Sequence, residues 1–491
     1  MNSTPLFPSL RPVLAPMGRR TRSTALRLRE ATLSQIERTL APALNPMLLR
    51  KPRAGDHSRQ RVFDLTRTFW CWLWQVLQSN ASCREVVRQT QALFSLRGHK
   101  PPDESTSAYC QARAKFSLTL LQKIFAATVQ SAEKGAPASS LLQGRNLKLV
   151  DGSIVRLQDT RLNRAAFPLS PNQFSRPGFP LMKIVALFSL RSGALLAHAT
   201  SALQVVDARL LMGLRTQLQA NDILVADRAY GLYVLIQWLN GLSVDSVVRL
   251  NARSRAVDFR KASKLLGPGD ALFLWLKPKV ASKLLSLQAW AQVSEAITVR
   301  VIHTRIQRQG FRTRDLTLAS SLLDATLYPA EEILQAYCKR WRLEMCFDDL
   351  KTTLGMEMLS CKSPHLVQKE LLVFLTAHNF IRWLMVQAAQ TEAVDLQRMS
   401  FKGSLDAFRQ WTLALSQIRG PASKSKRHRL WLALIKTVAG DLILNRPGRH
   451  EPRAVKKRNK YPRLTQCRHI YIDRWSRNKR RRVARAKKRT S

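Results

Sequence analysis

Acidic residues are scarce in this sequence, where 32 Asp and Glu stand against 81 Lys and Arg and leave a formal net charge of +49. A charge this large and of one sign repels itself strongly unless a polyanionic partner neutralises it. Nucleic acid is the leading candidate for that partner, and an anionic membrane surface is the second.

Long apolar runs and paired cysteines are also missing. No apolar run reaches the roughly 18 residues that a transmembrane helix requires, and the N-terminus shows no signal-peptide pattern. The seven cysteines include no C-x-x-C pair, which argues against a zinc finger and indicates a reducing compartment. We therefore expect a cytoplasmic protein without a membrane role.

The patterns that are present divide the 491 residues into five regions. They are a helical N-terminal region (1–140), the first part of an α/β core (145–252), a β-rich insertion (253–327), the second part of the core (328–395), and C-terminal helices with a basic tail (396–491). Within the tail, residues 453–491 hold 17 Lys and Arg against one acid, which predicts salt-sensitive binding to a polyanion.

In the N-terminal region, Ser82 and Glu85 form a capping box for a helix that ends at Leu96. A second helix starts near Ser105 or Ser107 and carries Gln111, Arg113 and Lys115. Two short helices with basic residues on the second could contact a DNA groove. A plain helical bundle explains the same pattern equally well.

The α/β core is predicted from alternating apolar runs. LKLVDGSIVRL predicts a strand, a turn at Asp151–Gly152 and a second short strand, and the runs at 182–190 and 194–203 predict two more. A helix over 206–219, a strand that ends at Asp227, a further helix and the strand 245–251 follow. This order predicts a mixed sheet with helices packed on it.

The stretch Tyr337–Lys351 is predicted to be one helix. At about 100° per residue, Tyr337, Arg340, Glu344 and Lys351 fall within an arc of roughly 60°. This face combines a carboxylate with two cations and a phenol, an arrangement that suits binding a phosphate beside an acid. A salt-bridged surface helix is the alternative interpretation.

Two aspartates, Asp151 and Asp227, follow apolar runs that predict buried strands. An acid in that position lies at the rim of a sheet, where ligands tend to bind. Together with Glu344 they offer oxygen ligands suited to Mg or Mn, and a pair of such ions can catalyse phosphoryl transfer. The alternatives are an Asp–Gly turn at Asp151 and a helix cap at Asp227.

Over roughly residues 80–390, the sequence resembles the DDE transposases of the insertion-sequence-four family, which are bacterial cut-and-paste enzymes. The signature Y-x2-R-x3-E-x6-K is matched by Tyr337, Arg340, Glu344 and Lys351, and LVDGS and ADRAYG match the motifs of the two aspartates. The resemblance implies a ribonuclease-H-like core with a β-rich insertion.

The resemblance also implies roles for these residues. Asp151, Asp227 and Glu344 would be the metal-binding catalytic triad, holding two Mg (or Mn) ions. The other three signature residues, Tyr337, Arg340 and Lys351, would contact phosphates of double-stranded DNA at the transposon end. The enzyme would cleave those ends, transfer the strands into target DNA, and act as a homodimer in the DNA complex, within the nucleoid-associated cytoplasm. The N-terminal region is expected to bind the DNA ends.

The resemblance also implies a base-stacking tryptophan late in the insertion, where this sequence has Leu316 instead. Trp275 and Trp290 lie earlier, and Trp275 could stack on a base or pack in the core. Two other functions stay open from the residues alone. One is a DNA-binding protein that retains the fold without activity, and the other is an RNA-binding or ribosome-associated basic protein.

Overall fold

A computed structural model gives the fold. It describes residues 36, 39–59, 61–96, 98–138, 141–169, 178–250, 257–305, 315–416 and 423–444. The basic tail, 453–491, lies outside the described residues. The chain forms two compact units. The helical unit contains the described residues up to Pro137 with Asp348–Met356 and Gln368–Ile443, and the sheet unit contains Ala138–Phe347 and Glu357–Val367.

Between residues 41 and 134, the described part of the helical unit contains two short 3₁₀ turns, Ala41–Ala43 and Pro46–Leu49, and four helices. These are α1 (Leu65–Leu77), α2 (Cys83–Leu96), α3 (Ser107–Lys115) and α4 (Leu118–Lys134). The predicted capping box is confirmed, since the Ser82 backbone N–H donates to Glu85 Oε2 at 2.7 Å and the Glu85 N–H donates to Ser82 Oγ at 3.2 Å.

The predicted basic face of α3 is only partly correct. Gln111 and Lys115 are exposed, but Arg113 is 5% exposed and its guanidinium lies 4.2 Å from the ring centroid of Trp72. A cation over an indole face is attracted by the ring and is well placed inside a core. Arg113 therefore stabilises the packing of α1 against α3 and is not available to contact a DNA groove.

The sheet unit is built on one ten-stranded mixed sheet. Its strands are β1 (Leu147–Leu157), β2 (Leu181–Ser189), β3 (Leu195–Ala202), β4 (Ile223–Ala226), β5 (Asp245–Arg249), β6 (Lys264–Gly267), β7 (Asp270–Leu276), β8 (Ala296–Arg305), β9 (Asp315–Ser320) and β10 (Met358–Leu359). The spatial order is β3-β2-β1-β4-β5-β9-β8-β7-β6, with β10 paired to β1. The first five strands have the order of a ribonuclease-H-like core, antiparallel on one side of β1 and parallel on the other.

The turn predicted at Asp151–Gly152 is wrong. Asp151 pairs with Ala186 and Gly152 with Val185 inside an unbroken antiparallel register between β1 and β2. Pairing with a neighbouring strand continues through both residues, and this long-range pairing overrides the local turn preference of Asp–Gly.

Short helices connect the strands of the sheet unit. They are α5 (Arg161–Ala166), α6 (Asp207–Met212), α7 (Tyr233–Asn240), α8 (Leu287–Ala291), α9 (Ala330–Cys338) and α10 (Trp341–Asp348). The helix predicted over 206–219 is shorter than expected. It ends at Gly213, whose N–H closes the last turn on the Arg209 carbonyl, and a 3₁₀ turn over Arg215–Gln217 follows.

The insertion strands continue the core sheet. β9 pairs with β5, and β8, β7 and β6 extend the sheet from there. A buried ion pair holds this extension together, because Arg300 is 0% exposed and its Nε and Nη2 donate to Asp270 Oδ1 and Oδ2 at 2.8 and 2.5 Å. Its Nη1 donates to the Tyr328 carbonyl at 2.6 Å.

The single helix predicted over Tyr337–Lys351 is wrong. α9 ends at Cys338, a tight turn follows, and α10 ends at Asp348 before a π-helical turn over Asp349–Thr353. In the tight turn the N–H of Arg340 donates to the Tyr337 carbonyl at 2.9 Å and that of Arg342 to the Lys339 carbonyl at 3.1 Å. These bonds span three residues instead of four, so the winding tightens and the predicted common face is interrupted.

Three helices complete the helical unit: α11 (Pro364–Thr391), which starts within the sheet unit, α12 (Phe401–Ser416) and α13 (Ser423–Gly440). By length and composition α11 could cross a membrane, but 89% of its most apolar window is buried inside the protein.

The ion pair of the sheet extension gives a stability prediction. Arg300→Ala leaves the carboxylate of Asp270 buried without its cation, which lowers the free energy of unfolding by about 3–5 kcal/mol. Denaturant titration measures the change. The control is Arg260→Ala, which removes an exposed pair with Asp258 and should leave the midpoint unchanged. Equal midpoints for the two variants would contradict a structural role for the buried pair.

Candidate active site

Asp151 and Asp227 lie side by side because of the register between two parallel strands. Val150 of β1 pairs with Ala226 of β4, and the two aspartates are the next residues along each chain. Neighbouring strands run about 4.8 Å apart. The two acids therefore lie at the same level of neighbouring strands, as predicted, but only Asp227 follows the end of its strand, since β1 continues past Asp151 to Leu157.

The environment of Asp151 disfavours its negative charge. Its side chain is 24% exposed, and burial, followed by the charges of Asp227 and Glu344, raises the pKa of Asp151 to about 6. The backbone N–H of Gly152, which donates to Asp151 Oδ1 at 2.7 Å, and the cation Arg340 act in the opposite direction. The site thus concentrates negative charge around a partly buried carboxyl.

Asp227 is half-buried and begins the 3₁₀ turn Arg228–Tyr230. Its Oδ1 accepts a hydrogen bond from the Ala229 N–H at 2.8 Å. The capping role considered for this residue is therefore real. It holds the carboxylate in place at the end of β4, and it is compatible with the position beside Asp151.

Arg340 joins the first aspartate to Glu344. Its Nη1 lies 3.6 Å from Asp151 Oδ2, and its Nη2 lies 3.6 Å from Glu344 Oε1. The side chain of Arg340 is 17% exposed, whereas that of Glu344 is 50% exposed. One partly buried guanidinium thus bridges two carboxylates that are nearly 200 residues apart in the sequence.

Tyr337 supports this guanidinium from the end of α9. The residue is 7% exposed, and Arg340 Cζ lies 5.8 Å from the centroid of its ring. Burial raises the pKa of Tyr337. Its ring packs beside Arg340, and its hydroxyl also interacts with Arg340 by a side-chain hydrogen bond. Lys351, the last residue of the signature, is half-buried in the π-helical turn and belongs to the helical unit.

The paired aspartates have the chemistry of a divalent-cation site. Two carboxylates side by side, one of them with a raised pKa, would be relieved by a cation that oxygen ligands bind well. Within the part of the chain that the structure describes, no group of three acidic, His or Cys side chains is assembled at metal-binding spacing. Asp151 and Asp227 thus offer two of the oxygen ligands that an ion would need, while Glu344 is near Arg340.

Sequence reasoning missed the reason for Gly152. A Cβ at this position would collide with Asp207 Oδ2, and it would lie 3.2 Å from Asp207 Cγ. Asp207 is the first residue of α6 and forms an ion pair with Lys183 Nζ at 2.7 Å. Gly152 and Asp207 are 55 positions apart, so no local sequence pattern predicts their contact.

The tryptophans of the insertion pack against its core. Trp275 and Trp290 are partly buried against the hydrophobic cluster of the sheet unit, and Lys277 Nζ lies 5.5 Å from the Trp290 ring centroid. Leu316 is 3% exposed in β9. The core interpretation of Trp275 is thus the one that its surroundings favour.

Comparisons with known proteins find similar sequences and a similar structure. The family described as "Transposase DDE domain" matches residues 142–380. "Transposase InsG for insertion sequence element IS4" of Escherichia coli (strain K12) is 26% identical over 359 residues, which cover 72% of this chain and 77% of that protein. A solved structure of the piggyBac transposase synaptic complex with hairpin DNA aligns with a TM-score of 0.39 and 9% identity, covering 83% of this chain and 82% of the other.

The raised pKa of Asp151 predicts a pH-dependent change in stability. Above pH 6 the carboxylate is charged and destabilises the fold, whereas below about pH 4 it is protonated in both states and has no effect. Asp151→Asn should therefore raise the free energy of unfolding by about 2 kcal/mol at pH 7.5, and this gain should vanish as the pH falls from 6 to 4.

Denaturant titrations at several pH values measure this gain. Asp222→Asn is the control, since Asp222 pairs with Lys148 Nζ at 2.6 Å in a buried position and its loss should destabilise the protein at pH 7.5. A stability loss for Asp151→Asn at pH 7.5 would show that its charge is stabilised in the free protein.

Proposed function

Because this chain belongs to the DDE transposases of the insertion-sequence-four (IS4) family and functions in DNA transposition, we propose that Asp151, Asp227 and Glu344 form its catalytic triad. The reaction would be metal-dependent cleavage at the transposon ends, followed by strand transfer into target DNA. The observation that supports this most directly is that Asp151 and Asp227 directly follow the paired residues Val150 and Ala226, with Arg340 linking Asp151 to Glu344.

Asp151 and Asp227 would hold the first of two Mg²⁺ or Mn²⁺ ions, and Glu344 would complete the second position. Bound ions of this kind supply an activated water or 3′-hydroxyl and a stabilised leaving oxygen in phosphoryl transfer. The half-exposed side chain of Glu344 is suited to this part, because it can leave Arg340 without disturbing a packed core.

Arg340 would change partners when DNA binds. In the free protein its guanidinium neutralises part of the charge of two carboxylates. Once cations neutralise the acids, Arg340 is free to bind a phosphate oxygen of the DNA, a partner that guanidinium groups bind well. Tyr337 would keep the guanidinium oriented during this exchange, and Lys351 would contact a further phosphate.

The substrate that we propose is double-stranded DNA, at the transposon end and at the target. The net charge of +49 favours any polyanion. In the helical unit, a cleft of about 830 Å³ is lined by Arg59, Arg61 and Lys115 with the hydroxyls of Ser105 and Ser107, and also by two aspartates. These groups can bind phosphates, which agrees with a role of region 1–140 in holding a DNA end.

We propose a homodimer in the DNA complex and a location at the bacterial nucleoid in the cytoplasm. We keep the five regions predicted from the sequence as the proposed functional division of the chain. In this division, 145–252 contains Asp151 and Asp227, and 328–395 contains Glu344. A competing function is a DNA-binding protein without catalytic activity. The contact between Glu344 and Arg340 is compatible with this function, and the following test distinguishes the two.

The triad predicts a loss of cleavage without a loss of binding. Asp227→Asn and Glu344→Gln should each lower the rate of end cleavage by about 10³-fold, because several kcal/mol of metal-assisted stabilisation are removed. Single-turnover cleavage of a labelled terminal-repeat duplex with Mg²⁺ measures the rate, and gel-shift titration in EDTA measures binding.

Glu331→Gln, an exposed acid in the first turn of α9, is the matched control and should cleave at the wild-type rate. Wild-type rates for Glu344→Gln would remove Glu344 from the triad. No cleavage by the wild-type protein on its own end sequence, with binding intact, would favour the inactive DNA-binding protein.

The basic tail predicts a change in salt dependence. Deleting 453–491 removes 17 cations, so DNA binding should weaken at low salt and the slope of log K against log[salt] should become shallower by about 0.9 per lost phosphate contact. Replacing the same cations by Gln at full length should have the same effect. An unchanged slope in both variants would exclude the tail from DNA binding.

A further inference from the structure

The hydroxyl of Tyr230 is buried without a hydrogen-bond partner among the residues that the structure describes. The residue is 1% exposed and belongs to the hydrophobic cluster of the sheet unit. Leaving a buried hydroxyl unpaired costs free energy, and a phenylalanine would avoid that cost. Such a group in a folded protein therefore calls for a specific explanation.

Tyr230 lies at the carboxylate site. It is the last residue of the 3₁₀ turn that Asp227 begins, and its N–H donates to the Asp227 carbonyl at 3.2 Å. After burial, the charges of Asp207, Asp151 and Asp227 raise the pKa of Tyr230 further. A hydroxyl donor is thus held within electrostatic range of three carboxylates.

Each nearby carboxylate is already engaged in the free protein. Asp207 pairs with Lys183, Asp151 accepts from the Gly152 N–H and faces Arg340, and Asp227 caps its turn. The phenol oxygen has no acceptor among the described residues, although the charges of three carboxylates act on it. A rearrangement of the acids would supply one.

We propose that Tyr230 is a positioning residue of the carboxylate site, and that its hydroxyl donates a hydrogen bond to the Asp151–Asp227 pair once this pair holds a divalent cation. A cation draws the two carboxylates into a fixed arrangement, and a neutral donor behind them fixes the orientation of the oxygen that does not face the ion. The inference rests on the proposed metal-dependent function and adds a residue to it.

The test compares Tyr230→Phe with Tyr233→Phe. Tyr233 lies three residues later in the same cluster, and its hydroxyl donates to the Ser294 carbonyl at 2.7 Å. The two variants remove the same atom, once from an unpaired and once from a paired position. Thermal unfolding is measured without metal and across a Mn²⁺ titration, and cleavage of the end duplex is measured across the same titration.

Tyr230→Phe should leave the metal-free Tm unchanged or raise it. The Mn²⁺ concentration for half of the Tm increase should rise about 10–100-fold, the usual effect of losing a group that orients a metal ligand, and the cleavage midpoint should move with it. Tyr233→Phe should lower the metal-free Tm by about 2–4 °C and leave both midpoints in place.

A lower metal-free Tm for Tyr230→Phe would overturn the proposal, because the hydroxyl would then be paired in the free protein, for instance to Asp207. Wild-type midpoints for Tyr230→Phe would overturn it as well. Asp227→Asn in the same titration separates this failure from that of the function. If Asp227→Asn keeps the wild-type increase of Tm with Mn²⁺, Asp227 does not bind the metal, and the proposed role of Tyr230 is excluded together with the proposed metal site.

Discussion

The register between β1 and β4 is the constraint on which the site depends. Pairing Val150 with Ala226, both 0% exposed, forces the next residue of each strand to the same level at the sheet edge. Because those residues are Asp151 and Asp227, the fold brings two like charges together that would separate in a free chain. The buried sheet holds them there, and the result is a concentrated negative charge that suits a cation.

The break between α9 and α10 determines how the third acid reaches this edge. In a continuous helix Arg340 and Glu344 would lie on one stripe and pair mainly with each other. α9 ends at Cys338, and a new helix starts at Trp341. In the tight turn between them, the guanidinium of Arg340 lies over the ring of Tyr337. Arg340 thereby lies between Asp151 and Glu344 at equal distances, so one cation links acids from a strand and a helix.

Much of this site was predictable because its acids follow strong local signals. An apolar run that ends in an acid identified Asp151 and Asp227, and the spacing of the signature identified Arg340 and Glu344. The errors arose where distant pairing decides the conformation. Pairing with β2 keeps Asp151 and Gly152 in an extended conformation. The contact with the Trp72 ring holds the Arg113 side chain in the core. Since both partners are distant in sequence, no window around the residue contains the deciding interaction.

Three features next to the carboxylate pair are unfavourable in the free protein. Asp151 is charged where burial opposes its charge, Tyr230 has a hydroxyl without an acceptor, and Gly152 has no side chain because Asp207 occupies its place. Elsewhere in the same sheet a buried charge is fully paired, since the guanidinium of Arg300 donates two hydrogen bonds to the carboxylate of Asp270. The fold is thus able to pair buried polar groups. In the proposed function, a cation held by Asp151 and Asp227 would relieve the burial of the Asp151 charge and would fix the carboxylates toward which the Tyr230 hydroxyl could donate.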